Sequence, residues 1–268
     1  MSGMTTGDII SRPAQEWSAA GHATDSAAVA LLGEIALALV VAAYAFLVAR
    51  AIVRRKRYRA GGVLAEADLR AVHDGLVAAE RRTVGEILVV VLERSDRHPE
   101  AAWLAALCAL VLGSIGLTPW LPWSVPGWVL LAQLALGALG YASARLLPDF
   151  ARFFVSEARA HEVVEEQALQ EFHNHGLFRT EGRTGVLLFV SLFERRALVL
   201  GDEGIHARVG DEHWTRTTRL VLDGIRSGSL RDGLVAGIAS AGAVLAEHFP
   251  VAAGDRNELP DRVIVRRE

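Results

Sequence analysis

The chain has 268 residues, of which 51% are hydrophobic, with a mean hydropathy of +0.28 and a formal net charge of -3. Charged residues make up 22% of so aliphatic a chain, which excludes disorder, and the single cysteine, Cys108, excludes a disulfide scaffold. The near-neutral balance supplies no basic field for nucleic acid, so no nucleic-acid partner is expected.

A tail (1–27) precedes the first long apolar run, Ala28 to Ala49, which is interrupted only by Glu34 and is long enough to cross a bilayer. No basic stretch precedes it, so it reads as a transmembrane anchor (28–53) rather than a cleaved signal. Glu34 lies close to the outer end of this span; an intramembrane acid is a functional candidate by default, and at this shallow depth snorkelling or interfacial pairing is the favoured reading. The cluster Arg54-Arg55-Lys56-Arg57-Tyr58-Arg59 follows directly, and the positive-inside rule puts it in the cytoplasm with the N-terminus outside.

From Leu64 to Arg82, Leu69, Val72, Leu76 and Ala79 recur at helical spacing; Glu86 to Glu93 is a continuous β-branched run, the pattern of a buried strand. Two further apolar runs follow, Ala101 to Leu117 and Trp128 to Leu147. They are joined by a Pro- and Trp-rich link whose Trp120 and Trp123, with Trp128, suit an interfacial belt. These predict a transmembrane hairpin (101–147) in which the small residues Ala101, Ala105, Ala109 and Gly113 face Ala138 and Ala142.

Phe150 to Phe172 reads as one long amphipathic helix, with Glu162, Glu165 and Glu166 solvated and His161 satisfied on the apolar side. Gly176 ends it. Thr184 to Leu192 and Arg196 to Leu200 read as two strands joined by a short turn. Asp211 is placed to cap a helix reaching about Ile225, and Ser229, with Asp232 three residues on, caps another ending near His248. Residues 251–268 read as a polar tail.

This order predicts an α/β fold: a small mixed sheet flanked by helices, interrupted by a transmembrane helical hairpin, plus one N-terminal transmembrane helix. The first strand and helix (60–98) cannot bury their own faces, so they belong with 148–250 in one interrupted domain. A long crossover suits a parallel first and second strand, while the short turn makes the second and third antiparallel.

Several short motifs occur in a specific order. They are Phe172-His173-Asn174-His175-Gly176-Leu177, Arg183-Thr184-Gly185-Val186-Leu187-Leu188-Phe189-Val190-Ser191, Glu194-Arg195-Arg196-Ala197-Leu198-Val199-Leu200 and Gly201-Asp202-Glu203-Gly204-Ile205. On these residues the chain resembles the TPM domain family, and Glu86 to Val91 resembles that family's first strand. The resemblance spans roughly 63–94 and 150–250. It implies an α/β layered module, often held at a membrane by a transmembrane helix. Plant thylakoid members are linked to photosystem II repair and acid phosphatase activity, another is an auxiliary subunit of an animal acetylcholine receptor, and calcium sites have been proposed in some.

For chemistry, no P-loop, Gly-x-Ser-x-Gly elbow or His-Glu-x-x-His motif is present. Two groups are metal candidates. Glu194, Asp202 and Asp211, with Glu203, offer oxygens near strand ends for a weak calcium site; His173 and His175, with Glu171, offer a transition-metal site at a helix end. Arg94-Ser95-Asp96 is not a catalytic signature by itself. The expected function is a membrane-anchored TPM-domain protein, multi-pass in the cytoplasmic membrane with its main domain in the cytoplasm. Its partners are then the lipid bilayer and a membrane protein whose complexes it binds or maintains. The alternative is a metal-dependent phosphatase-like hydrolase.

Overall fold

The computed structural model describes residues 63–117, 126–251, 258–259 and 262–266, together with Ala42, Phe46, Ala49 and Arg50. Glu34, nearly all of the first apolar run, the basic cluster after it and the link 118–125 lie outside the described residues.

The sheet organises everything else. Strands β1 (Glu86–Leu92), β2 (Gly185–Ser191), β3 (Arg196–Gly201) and β4 (Val263–Arg266) lie in the order β3-β2-β1-β4. β1 and β2 are parallel, in register from Glu86↔Gly185 to Leu92↔Ser191, and β2 and β3 are antiparallel. Every residue of β1 and β2 is buried, because side chains alternate between two covered faces. Ile87, Val89 and Val91, with Val186, Leu188 and Val190, point into a core closed by α1 (Glu66–Glu80), α7 (Asp211–Ser227) and α8 (Leu230–His248). Leu88, Val90, Leu187 and Phe189 point the other way, against Val163, Val164, Ala168 and Phe172 of α5 (Glu157–Asn174). The mixed sheet with helices on both faces is as the sequence predicts.

Between β1 and β2 the chain forms α2 (Pro99–Leu117), α3 (Pro126–Leu146) and the short α4 (Pro148–Phe153). α2 and α3 approach closely at Gly140, where a Cβ would lie 2.5 Å from the Ala105 carbonyl oxygen and 2.6 Å from Ala109 Cβ. The alanine stripe of α2 is thus used, but its partner is a glycine; Ala138 faces outward. A residue with no side chain permits the nearer contact. At its base the hairpin is welded to the sheet through Ala102, Ala105, Ala144, Ala151 and Phe193.

Several expectations are corrected. The helix predicted over Phe150 to Phe172 is broken: α4 stops, and Ser156 caps α5 by accepting from Arg159 N at 3.1 Å. Hydrophobic periodicity runs through such a reset without registering it. His161 is not a core histidine; its side chain is 54% exposed and pairs with Glu165. Asp211 opens α7 as its first residue behind the capping Gly210, whereas Ser229 caps α8 by accepting from Asp232 N. Asp202 caps the one-turn helix α6 (Glu203–His206).

The largest difference lies in the supposed tail, which returns as β4, parallel to β1 from Val89↔Val263 to Leu92↔Arg266. Four residues are too few for a periodic signal, and a charged neighbourhood hides them. The strand is pinned by Arg266 Nη1, which donates to the fully buried Glu171 at 2.7 Å; Gln167 and His175 also reach that carboxylate. Arg266→Ala is expected to cost about 1.5–3 kcal/mol, the range for a hydrogen bond to a charged group. A urea unfolding midpoint equal to that of the parent chain would contradict this.

Candidate functional site

The carboxyl ends of parallel strands are where open α/β sheets present their chemistry. Here β1 and β2 end side by side at Leu92 and Ser191. The ladder continues briefly beyond them, with Leu192 N donating to Leu92 O and Phe193 N to Glu93 O, each at 3.0 Å. This fixes the Leu192–Arg195 turn against the segment Glu93 to His98. Arg195 closes the turn at φ +54, and His98 also occupies the left-handed region at φ +46, immediately before Pro99 opens α2. Such a backbone at a non-glycine residue costs about 1–2 kcal/mol and must be held by its surroundings.

What holds it is a buried network. Glu194, with a side chain wholly inside the protein, accepts from Ser95 N at 3.3 and 3.2 Å and from Ser191 Oγ in a very short hydrogen bond. His98 Nε2 lies 2.8 Å from Glu194 Oε1, and its other nitrogen, Nδ1, lies 3.1 Å from Glu100 Oε1 and 3.9 Å from Asp96 Oδ2. Phe193 covers the imidazole, ring centroids 5.4 Å apart, and Arg94 stacks over that phenyl ring. Arg159 Nη2 reaches Asp96 at 3.3 Å from α5.

Burial alone pushes the Glu194 carboxyl up, but the hydrogen bonds from His98, Ser191 and the backbone of Glu194 and Ser95 outweigh it, and its pKa lies below the ordinary value. For His98, burial pulls the pKa down, yet hydrogen bonds to Glu194 and Glu100 and the charges of Glu194 and Asp96 outweigh that, raising it. The two shifts have one cause: each partner favours the charged form of the other.

Of the metal candidates read from the sequence, only Glu194 belongs to this cluster. Asp202 lies beyond the opposite end of the β2–β3 hairpin, since Ser191 pairs with Arg196 while Val186 pairs with Gly201. That is roughly 17 Å away, five steps of about 3.4 Å. Asp202 is engaged in capping α6 and in a contact with Arg183, and Asp211 is 94% exposed beside His206. These three carboxylates do not converge on one position, and the six to eight oxygens of a calcium shell are not assembled from them. Glu171 and His175 meet at 3.2 Å, but in the service of Arg266; His173 instead packs its ring on Phe178.

His98 and Glu100 lie beyond the sequence reading, which gives Asp96 no role. A signal was present in the alternation Asp96-Arg97-His98-Pro99-Glu100 at the end of a buried strand, though nothing local revealed that Glu194 would join it. The serine hydroxyls bond within the network rather than to His98: Ser95 Oγ donates to Ser191 Oγ at 2.9 Å and Ser191 donates to Glu194.

The fold and site together define an α/β sheet module with an apolar helical hairpin set into its crossover. Residues 151–244 match the family model of the TPM domain. Among solved structures, the NMR structure of the BA42 protein from the psychrophilic bacterium Bizionia argentinensis is similar at 22% identity. The likeness covers 76% of this chain and 95% of that one, with a TM-score of 0.49. None of the curated proteins matches.

Removing the Glu194 carboxylate leaves the buried His98 imidazole without its main partner and frees a strained backbone. Glu194→Ala is expected to cost about 3–5 kcal/mol in denaturant unfolding, the range for breaking a buried pair from one side. A loss below about 1 kcal/mol, as for exposed pairs, would mean that the pair is not closed in solution.

Proposed function

We propose that the chain is a membrane-anchored TPM-domain protein whose hairpin crosses the bilayer and whose sheet domain, held at the membrane surface, binds or maintains other membrane-protein complexes. The observation that carries this reading is the outward face of the hairpin. Trp103, Leu107, Leu112, Ile115, Leu131 and Leu134 all stand largely exposed on α2 and α3. An apolar surface of this extent has no stable place in water. Both helices are long and apolar enough to cross a membrane, at 19 and 21 residues. Large aromatic side chains stand exposed at both ends: Trp128 towards the tip, and Trp103, Phe150 and Phe153 at the base, where an interfacial belt would lie.

The β1–β2 pairing adds a constraint on topology. Two strands in one register lie on one side of the membrane, so the chain between them makes an even number of crossings. With the basic run Arg54–Arg59 inside, the sheet domain is cytoplasmic and the N-terminus, beyond a third span, is outside. A bilayer-seated hairpin fused to a rigid domain suits an interaction module.

Reporter fusions at Gly61 and Glu268 are expected to read cytoplasmic, and the chain to stay with membranes after alkaline carbonate extraction. Crosslinking in native membranes is expected to capture membrane-protein neighbours, with no turnover of a phosphate monoester by the purified chain. Release into the soluble fraction, or opposite readings at the two fusion points, would refute the anchored topology. Turnover lost in Glu194→Ala would favour the phosphatase-like reading instead.

A further inference from the structure

We propose that Asp96, His98 and Glu100 form a binding site for a divalent transition metal of the zinc type, with Glu194 as the positioning residue behind His98. The inference is independent of whether the hairpin crosses a membrane.

The ligand atoms are already gathered. His98 Nδ1, a carboxylate oxygen of Asp96 and one of Glu100 all lie within 4.8 Å of one another. The separations from Nδ1, 3.1 Å to Glu100 and 3.9 Å to Asp96, bracket the roughly 3.4 Å edge of a tetrahedron drawn around an ion with bonds of about 2.1 Å.

The cluster is more than a group of acids, because the histidine is oriented from behind. Metal-binding imidazoles almost always donate their far N–H to a carboxylate, which fixes the tautomer and sharpens the basicity of the near nitrogen. Glu194, itself held by Ser95 N and Ser191, does this to Nε2 and so leaves Nδ1 directed at Asp96 and Glu100. His98 has a 1% exposed side chain under Phe193 and cannot turn away. The strained backbone before Pro99 presents it in this orientation. Asp96 and Glu100, at 30% and 41% exposure, leave the mouth open to solvent, so an ion can enter and keep a water as its further ligand.

Charge and donor type select the ion. Three carboxylates surround one imidazole, and Arg159 reaches one of them, Asp96. A divalent cation offsets the remaining negative charge as it takes the place of the Nδ1 proton, which leaves to solvent. An imidazole nitrogen with two carboxylate oxygens suits zinc and its neighbours; calcium and magnesium demand oxygen shells. The site lies where β1 leaves the sheet for α2, so a bound ion would tie the hairpin to the ends of both parallel strands.

The test is calorimetric titration of the purified full chain in detergent with zinc and, separately, with calcium. One zinc per chain is expected, with calcium neither binding comparably nor displacing it. Asp96→Asn and Glu100→Gln alter partly exposed side chains and leave the fold intact, and each is expected to weaken zinc at least tenfold. Glu194→Gln is expected to weaken it 10–100-fold, as removal of an orienting carboxylate does. His173→Ala with His175→Ala is expected to leave it unchanged. Cobalt substitution adds a spectroscopic readout, in which visible bands of low-coordinate cobalt should vanish in His98→Ala. The proposal is overturned by an absence of saturable zinc binding, by zinc binding indifferent to Asp96→Asn and Glu100→Gln, or by a preference for calcium.

Discussion

Two parallel strands cannot be joined by a tight turn, so the chain leaving β1 must travel before it returns as β2. Ordinary α/β units fill that journey with one crossover helix. Here it contains an apolar helical hairpin, a short aromatic helix and then the packing helix α5. The in-register pairing from Glu86↔Gly185 to Leu92↔Ser191 is what makes this arrangement possible. It lets the sheet domain be assembled from segments on either side of the hairpin, and it requires the hairpin to return to the side from which it left. Burial on both faces of these strands supplies the free energy that offsets closing so long a loop, whose entropic cost grows only slowly with length.

The same pairing creates the polar cluster. Because β1 and β2 run in parallel, the segments leaving them emerge together, and Glu194 is delivered to the loop that precedes α2. A carboxylate and an imidazole that would each be costly to bury alone are buried as a pair, with the serine hydroxyls and the Ser95 amide occupying remaining valences. The pair sits directly beneath Phe193, which is also part of the apolar contact between sheet and hairpin. Polar and apolar ties therefore converge at one joint, between the soluble-looking half of the molecule and the half with an apolar exterior.

How much of this was legible follows from the range of the interactions. The chain's own pattern determined the elements with strong local signals: the unbroken β-branched run of β1, the two apolar helices, the Ser229 cap and the short turn into β3. It also pointed to a shared core for α1 and β1 with the strands and helices after the hairpin, since neither part could bury its own faces, and Val72, Leu76 and Ile87 do pack with Val186, Val221 and Leu245. Only the tertiary structure decided that Val263–Arg266 is a strand, because four residues take their conformation from the open edge of β1 and from Arg266 reaching Glu171. Only it decided that Gly140, not Ala138, is where the hairpin closes, because helix rotation is set by contacts along its length. Above all, Asp96, His98 and Glu100 are a short polar stretch in one dimension. They become a site when a register between strands far apart in sequence brings Glu194 behind the imidazole, and no local periodicity encodes a pairing between segments so distant.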